Sequence, residues 1–340
     1  LLGVAEEKPY RAYCTNSSQC IPKADWDEVM KWWRLRPILA CCSLNDYLEP
    51  PPFVMDSLEK CAHIIEPDDC LLLIDLVSGF THGLMHPEAR EFLGMTFAGR
   101  EFLSRASPMG ARPIPWFFTK LGWQMAKVFR KAGIRCIFFV DDWTFFCKED
   151  EVVPLSNFLI WEFGRRGWLI NFEKSLLGKI ARRGVSLGVE IRLDEFRFCV
   201  PAGKKKKIMA GIEDLLRCYE AGEPVRARLL AKTLGRINAL AVAVGRVVRQ
   251  MTRGMYHWLA VLTGVDPDAP RRYIKVAWNR RGEIGPRQAL ELRFWASELP
   301  DHPGRSIRDV GARSVMRLDR CGSQRLAVFA SDAGDPAWMA

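Results

Sequence analysis

Ile137-Phe138-Phe139-Val140-Asp141-Asp142-Trp143-Thr144-Phe145-Phe146 sets two adjacent carboxylates inside a strongly apolar, strand-like run. A buried ionised carboxylate is costly unless it meets a partner or a metal. The pattern predicts a tight β-hairpin whose turn pushes Asp141 and Asp142 into a cleft, where they hold divalent cations. Another acid, Asp75, closes a similar run, Leu71-Leu72-Leu73-Ile74, 66 positions earlier. Together they suit two-metal nucleotidyl transfer, in which two Mg²⁺ (or Mn²⁺) ions about 3.5–4 Å apart neutralise a triphosphate and acidify the attacking hydroxyl. An Asp-Asp pair by itself is more often a solvated turn; the large apolar residues on both sides favour the functional reading.

At 340 residues the chain has room for two or three subdomains. It is 49% hydrophobic and 26% charged, as an ordinary globular protein is. The net charge of +10 is unevenly placed: residues 165–253 carry 20 Lys/Arg against 8 Asp/Glu, a surplus of 12, which leaves −2 for the rest. A basic half beside the half that carries the acids fits a grip on a polyanion next to a metal site. A solvated basic surface is the plainer alternative.

The 11 cysteines form no Cys-x-x-Cys pair, so zinc-ribbon spacing is absent. Their scatter through apolar segments reads as reduced, buried thiols of an intracellular protein, cytoplasmic or nuclear. No signal peptide and no apolar stretch long enough to span a bilayer is present. The first residue is Leu, which suggests a fragment or an internal domain. His82 and His86 stand four apart but lack the Glu and third ligand of a metalloprotease, and read as polar turn residues. The glycines at 79, 83, 94 and 99 give no Gly-x-x-x-x-Gly-Lys phosphate loop, and no Ser-His-Asp order stands out.

Along the chain, 26–33 is an amphipathic stretch and Pro50-Pro51-Pro52 a break. Residues 53–65 carry apolar positions at helical spacing, with Asp56, Glu59 and Lys60 outside. Residues 71–76 and 92–97 read as strands, 108–115 as a loop, and 116–133 as a helix ended by its glycine. After the hairpin come a helix over 152–164, short strands over 184–191 and 196–200, and a basic helical segment over 225–251. Residues 262–290, rich in Pro, Arg and Asp, suggest a linker. The order of elements predicts an α+β sheet with helices on one face.

Six blocks then stand in one order over residues 34–191. They are Arg36 through Leu44-Asn45 with Pro52-Phe53-x-Met55-x-Ser57-Leu58; Asp75-x-x-x-Gly79-Phe80; Ser107-Pro108-Met109-Gly110 leading to Pro115-x-Phe117-Phe118-Thr119-Lys120; Phe139-Val140-Asp141-Asp142; Gly167-x-x-x-Asn171-x-Glu173-Lys174-Ser175; and Leu187-Gly188-Val189-Glu190-Ile191. This series resembles the reverse transcriptases of retroelements. Within them it looks most like the DIRS-like elements that integrate by a tyrosine recombinase, with LTR retrotransposons the near alternative.

The resemblance implies a right-hand polymerase of α+β class, with a palm built on an antiparallel sheet and its catalytic hairpin. Fingers would span 1–70 and 86–106, palm 71–85 and 107–200, helical thumb 201–260 and a connection 261–325. Residues 326–340 resemble the first strand of a ribonuclease H domain; eight residues follow Asp332, which implies a truncated, inactive start. The implied activity is RNA-directed DNA polymerisation, extending a primer 3′-hydroxyl with dNTPs on an RNA or DNA template.

Asp75, Asp141 and Asp142 would hold the metals. Phe80 would be the steric gate against a 2′-hydroxyl; without the family context it reads equally as a core ring. Met109 and Gly110 would lie against the nucleotide, Gly110 letting backbone approach closely. Arg36 would reach the triphosphate. Lys174 would donate a proton to the leaving pyrophosphate, or form a surface ion pair with Glu173. Leu187 and Gly188 would grip the primer, and Lys204, Lys205, Lys206, Lys207, Arg228, Lys232 and Arg236 would hold the duplex backbone.

The departures are Ser-Pro-Met-Gly in place of Leu-Pro-Phe-Gly and Ala40-Cys41-Cys42-Ser43 before Leu44-Asn45. They keep open a second reading, a decayed or domesticated relic that binds nucleic acid without turnover. An RNA-dependent RNA polymerase is a further rival, which Phe80 disfavours.

Overall fold

The computed structural model describes residues 4–27, 32–264 and 277–310. They form two compact units, one from residues up to 57 and 70–180, the other from 58–69 and from 181 onward. The class is α+β.

In the first unit, β1 (Ala5–Lys8), β2 (Thr15–Asp27), β3 (Trp32–Ala40), β5 (Gly94–Phe97) and β6 (Arg100–Ser104) make a sheet in the order β1-β6-β5-β2-β3. The stretch 26–33, read as amphipathic, contributes strand on both sides of residues 28–31.

The second sheet carries the quoted sequence. β4 (Cys70–Asp75) pairs antiparallel with β8 (Asp142–Cys147), and β8 with β7 (Arg135–Phe139), giving the order β4-β8-β7. β8 is buried from Trp143 to Cys147, so its apolar residues run without alternation. The helices Ile114–Lys131 and Val152–Arg165 supply Phe118, Ala126, Phe129, Leu159 and Phe163 to the same core. Phe129 sits 5.8 Å from Trp143, 5.6 Å from Phe145 and 5.8 Å from Phe163, at the centre of an aromatic cluster.

Residues 50–57 are irregular, and the helix predicted over 53–65 shrinks to Leu58–Cys61 plus one 3₁₀ turn. The prolines lie before this span; Asp56 is instead drawn inward by partners on a neighbouring helix and strand. Asp56, expected to face outward, is 4% exposed. It pairs with Arg130 and accepts the Phe138 N–H at 3.0 Å, while Arg130 donates to the Cys136 carbonyl at 3.0 Å. The ion pair thereby satisfies backbone groups on β7, an edge strand of its sheet.

In the second unit, β9 (Arg183–Ser186), β10 (Val189–Arg192), β11 (Arg197–Cys199) and β14 (Arg305–Ser306) form a sheet in the order β14-β11-β10-β9. The helices Ala202–Glu220, Ala227–Asn238, Arg253–Thr263 and Pro286–Asp301 pack together. Ile208, Ile212 and Leu215 on the first, Leu230, Leu234 and Ile237 on the second, and Leu292, Trp295 and Leu299 on the last are buried at helical spacing. The described part of the expected linker 262–290 is ordered by pairing: β13 (Arg281–Gly282) joins β12 (Val225–Arg226), and Pro286 begins a core helix. Glu291 on that helix accepts the N–H groups of Gly254 and Met255 at 2.7 and 2.9 Å, capping the start of Arg253–Thr263.

No disulfide forms among the described residues. Burial pushes the Cys41 and Cys136 thiols up to about 11, as for unreactive structural cysteines. Among the described residues no helix is long and apolar enough to cross a membrane. The stretch Leu326 to Asp332, expected to begin a ribonuclease H strand, lies outside the described residues.

Candidate active site

The hairpin forms as expected. Phe139 pairs with Asp142 across a two-residue loop, Val140-Asp141. Val140 has φ of +57°, and Asp141 is not in the positive-φ region. The first loop position of such a turn is one that glycine usually takes. A β-branched residue there is strained, at a cost of about 1–3 kcal/mol, and such strain gathers where function fixes the backbone.

Asp75 and Asp142 are direct partners in the β4–β8 register. Opposed residues of an antiparallel pair share a face, with Cβ atoms about 4.5–5.5 Å apart. Asp141 is brought in by the turn after β4: a Cβ built on Gly79 would lie 2.9 Å from the Asp141 Cβ. Gly79 is therefore small because Asp141 needs the room. All three acids thus converge. Asp142 is exposed, yet its carboxyl is pushed up to about 6 by desolvation, then by the charges of Asp141 and Asp75.

The donor chemistry, hard carboxylate oxygens crowded by like charge, fits Mg²⁺ or Mn²⁺. The arrangement is open: among the described residues no three His, Cys, Asp or Glu side chains gather closely enough to hold a metal ion.

The segment 167–176 braces Asp75. The Asn171 amide donates to the Asp75 carboxylate at 3.1 Å, and the Asn171 N–H to the Asp75 carbonyl at 2.8 Å. The Ser175 hydroxyl accepts the Asp75 N–H at 3.1 Å. These two residues stood in a quoted motif but had no role assigned; their hydrogen-bonding side chains were the only signal. Lys174, between them in sequence, is exposed.

Phe80 lies in the 3₁₀ turn Gly79–His82, half-buried and edge-on to Phe118 at 5.3 Å. Gly110 has φ of +123°, and a Cβ there would meet the Leu39 carbonyl at 1.9 Å. Only glycine fits that contact. The loop is pinned to β3 by the Leu39 N–H donating to the Met109 carbonyl at 2.8 Å. Asn45 clamps it from the other side, donating to the Gly110 carbonyl at 3.0 Å and accepting the Arg112 N–H at 2.7 Å. Arg36 lies on β3, in register with Ile21.

The remaining residues belong to the second unit. Leu187 and Gly188, with φ of +50° and +71°, form the two-residue loop of the β9–β10 hairpin, the pattern of a type I′ turn. Lys204 donates to the Gly188 carbonyl at 3.1 Å, and Lys205 to the Pro300 carbonyl at 2.8 Å. Burial lowers the Lys204 ammonium from its ordinary value. Lys206 and Lys207 are exposed. Arg228, Lys232 and Arg236 recur every fourth residue of one helix, and Arg236 donates to the Lys207 carbonyl at 3.0 Å.

The sheet, its acidic hairpin and the helical second unit define a reverse transcriptase-like fold of α+β class. Among solved structures, the chain is similar to the foamy viral protease-reverse transcriptase in complex with an RNA/DNA hybrid, with a TM-score of 0.60 and 17% identity over 83% of this chain and 35% of that one. Complexes of the same viral protein with double-stranded DNA give TM-scores of 0.59 at 16% and 17% identity, covering 46% and 55% of those chains. The chain thus spans about a third to a half of their length. No family model matches the sequence, and no curated protein does.

Proposed function

We propose that this chain is the polymerase portion of a retroelement reverse transcriptase, an RNA-directed DNA polymerase that extends a primer 3′-hydroxyl with dNTPs. The observation that carries the reading is the Asp75–Asp142 register with Asp141 at the adjoining hairpin tip, packed on Gly79. Likeness of fold to a viral protein solved with an RNA/DNA hybrid and with double-stranded DNA supports a nucleic-acid template as partner.

Asp75, Asp141 and Asp142 would hold divalent cations, Mg²⁺ or Mn²⁺, which when bound neutralise triphosphate charge and acidify the primer hydroxyl. Asn171 and Ser175 orient Asp75. Phe80 bars a 2′-hydroxyl, Gly110 lets its loop seat on the Leu39 carbonyl beside the nucleotide, and Lys174 gives a proton to pyrophosphate. Arg36 reaches the triphosphate. Lys206, Lys207, Arg228, Lys232 and Arg236 bind duplex phosphates, each adding to the salt dependence of binding. Lys204 supports the Leu187-Gly188 turn that holds the primer.

Primer extension on an RNA template with Mg²⁺ and dNTPs tests this reading. Asp141→Asn is expected to abolish extension and leave primer-template binding largely intact; extension at the parental rate would overturn the site. Ala40-Cys41-Cys42-Ser43 and Ser107-Pro108-Met109-Gly110, which depart from the family's pattern, favour as a second reading a relic that binds without turnover. A parent chain that binds primer-template but extends it with neither Mg²⁺ nor Mn²⁺ would establish that alternative.

A further inference from the structure

His82 was read from sequence as a turn residue, and its contacts give it more to do. Its Nδ1 lies 2.8 Å from the Gly79 carbonyl oxygen, and its Nε2 lies 2.9 Å from the Leu169 backbone nitrogen. A carbonyl only accepts and a backbone N–H only donates. The ring therefore carries its proton on Nδ1 and keeps the Nε2 lone pair for Leu169. One bond closes the turn Gly79–His82 on itself; the other ties that turn to the segment following the Val152–Arg165 helix.

That segment is the one that braces Asp75. Leu169 also accepts the Val77 N–H at 2.9 Å, and Asn171 and Ser175 follow with their bonds to Asp75. The imidazole stacks on Trp168 at 5.7 Å and 13°. Trp168 meets Phe118 at 5.4 Å, and Phe118 meets the edge of Phe80 at 5.3 Å. Phe80 is thus held on both sides, through the backbone of its own turn and through a chain of rings that begins at His82.

We propose that His82 is a positioning residue for the Phe80 gate, and that it sets the preference for deoxynucleotides over ribonucleotides. The inference deepens the proposed polymerase reading and rests on it. A steric gate discriminates by where its ring stands relative to C2′, so slack in its turn admits the larger sugar; because the same segment braces Asp75 and Gly79 packs on Asp141, kcat for both nucleotides falls alongside.

The experiment compares dNTP and rNTP incorporation, as separate kcat and KM values, in the parent, His82→Phe and His82→Gln. His82→Phe keeps a ring to stack on Trp168 and loses both hydrogen bonds. Its dNTP preference is expected to fall about tenfold, the size of one lost hydrogen bond, chiefly through a lower KM for rNTP. His82→Gln restores an acceptor for Leu169 and is expected to recover part of the preference. A preference in His82→Phe equal to the parent's would overturn the proposal, even if both nucleotides are used more slowly, because that is what a purely structural histidine would do.

A nitrogen-15 imidazole spectrum of the parent, with the His82 signals among the five histidines identified by their loss in His82→Phe, gives a readout without turnover. A single Nδ1–H tautomer is expected; the Nε2–H form or an averaged mixture would sink the bracket. An inactive parent would remove the gate reading and this inference with it, and the spectrum would still separate that failure from an error in the geometry.

Discussion

Gly79→Ala is the most direct probe of the convergence on which the site depends. Gly79 is buried and its φ is not positive, so alanine meets no backbone barrier; only the space is in question. The added Cβ would stand 2.9 Å from the Asp141 Cβ and 3.3 Å from the Phe118 Cζ. Carbon atoms rest about 3.5–4.0 Å apart, so Asp141 has to retreat by about 0.6–1.1 Å. Misplacing a reacting group by about 1 Å can cost about 100-fold, and kcat for primer extension is expected to drop about 10- to 100-fold.

Stability moves less. Overpacking costs about 1–3 kcal/mol, and the smaller entropy of unfolded alanine offsets about 0.4–1 kcal/mol of that. Gly164→Ala is the control: it lies in a helix with nothing within 4 Å of a built Cβ, and should be neutral or stabilising by about 0.5–1 kcal/mol. Single-turnover extension and thermal melting of both variants supply the measurements. Parental kcat and parental melting in Gly79→Ala would refute the contact, and with it the placement of Asp141 beside Asp75.

Arg130→Met should cost about 3–5 kcal/mol in urea unfolding, because Asp56 is left charged at 4% exposure. Adding Asp56→Leu should recover part of that loss, since the charge is gone but the Phe138 N–H has lost its acceptor; a double variant no more stable than the single one would show that the pair is not the coupled unit described. Asp142 carries a carboxyl raised from 3.8 to about 6, so the folded state binds its proton more tightly than the unfolded chain. Its contribution therefore falls as pH rises from about 4 to 6, by about 1 kcal/mol once solvent screening is discounted. Asp142→Asn should melt higher than the parent above about pH 6 and equally below about pH 4; an advantage independent of pH would contradict this origin.

Much of the first unit was legible in the chain. The run around Asp141-Asp142 predicted its hairpin because two polar residues flanked by continuous apolar strand leave a turn as the natural solution. The helix expected over 116–133 appears as Ile114–Lys131, its end marked by Gly133 at φ of +78°. Helical spacing misled at 53–65 and at Asp56, whose burial follows from a partner 74 positions away. The helix Pro286–Asp301 was hidden by the Pro- and Arg-rich stretch before it, although Leu292, Trp295 and Leu299 carry a helical stripe.

By itself the sequence determined which residue types could do chemistry and in which local elements they stand: acids at strand ends, an aromatic five positions after the end of β4, glycines where backbone must come close. These are short-range properties, set by periodicity and turn chemistry. Tertiary structure alone decided the long-range pairings: the one-to-one register of Asp75 with Asp142, the Asn45 clamp on the Gly110 loop, the Asn171 and Ser175 brace, and the bond from Leu169 to His82. No local pattern encodes them, because a hydrogen bond between residues tens of positions apart depends on how sheets and loops close in space, and one side chain can serve equally well as surface, cap or brace until that closure is made.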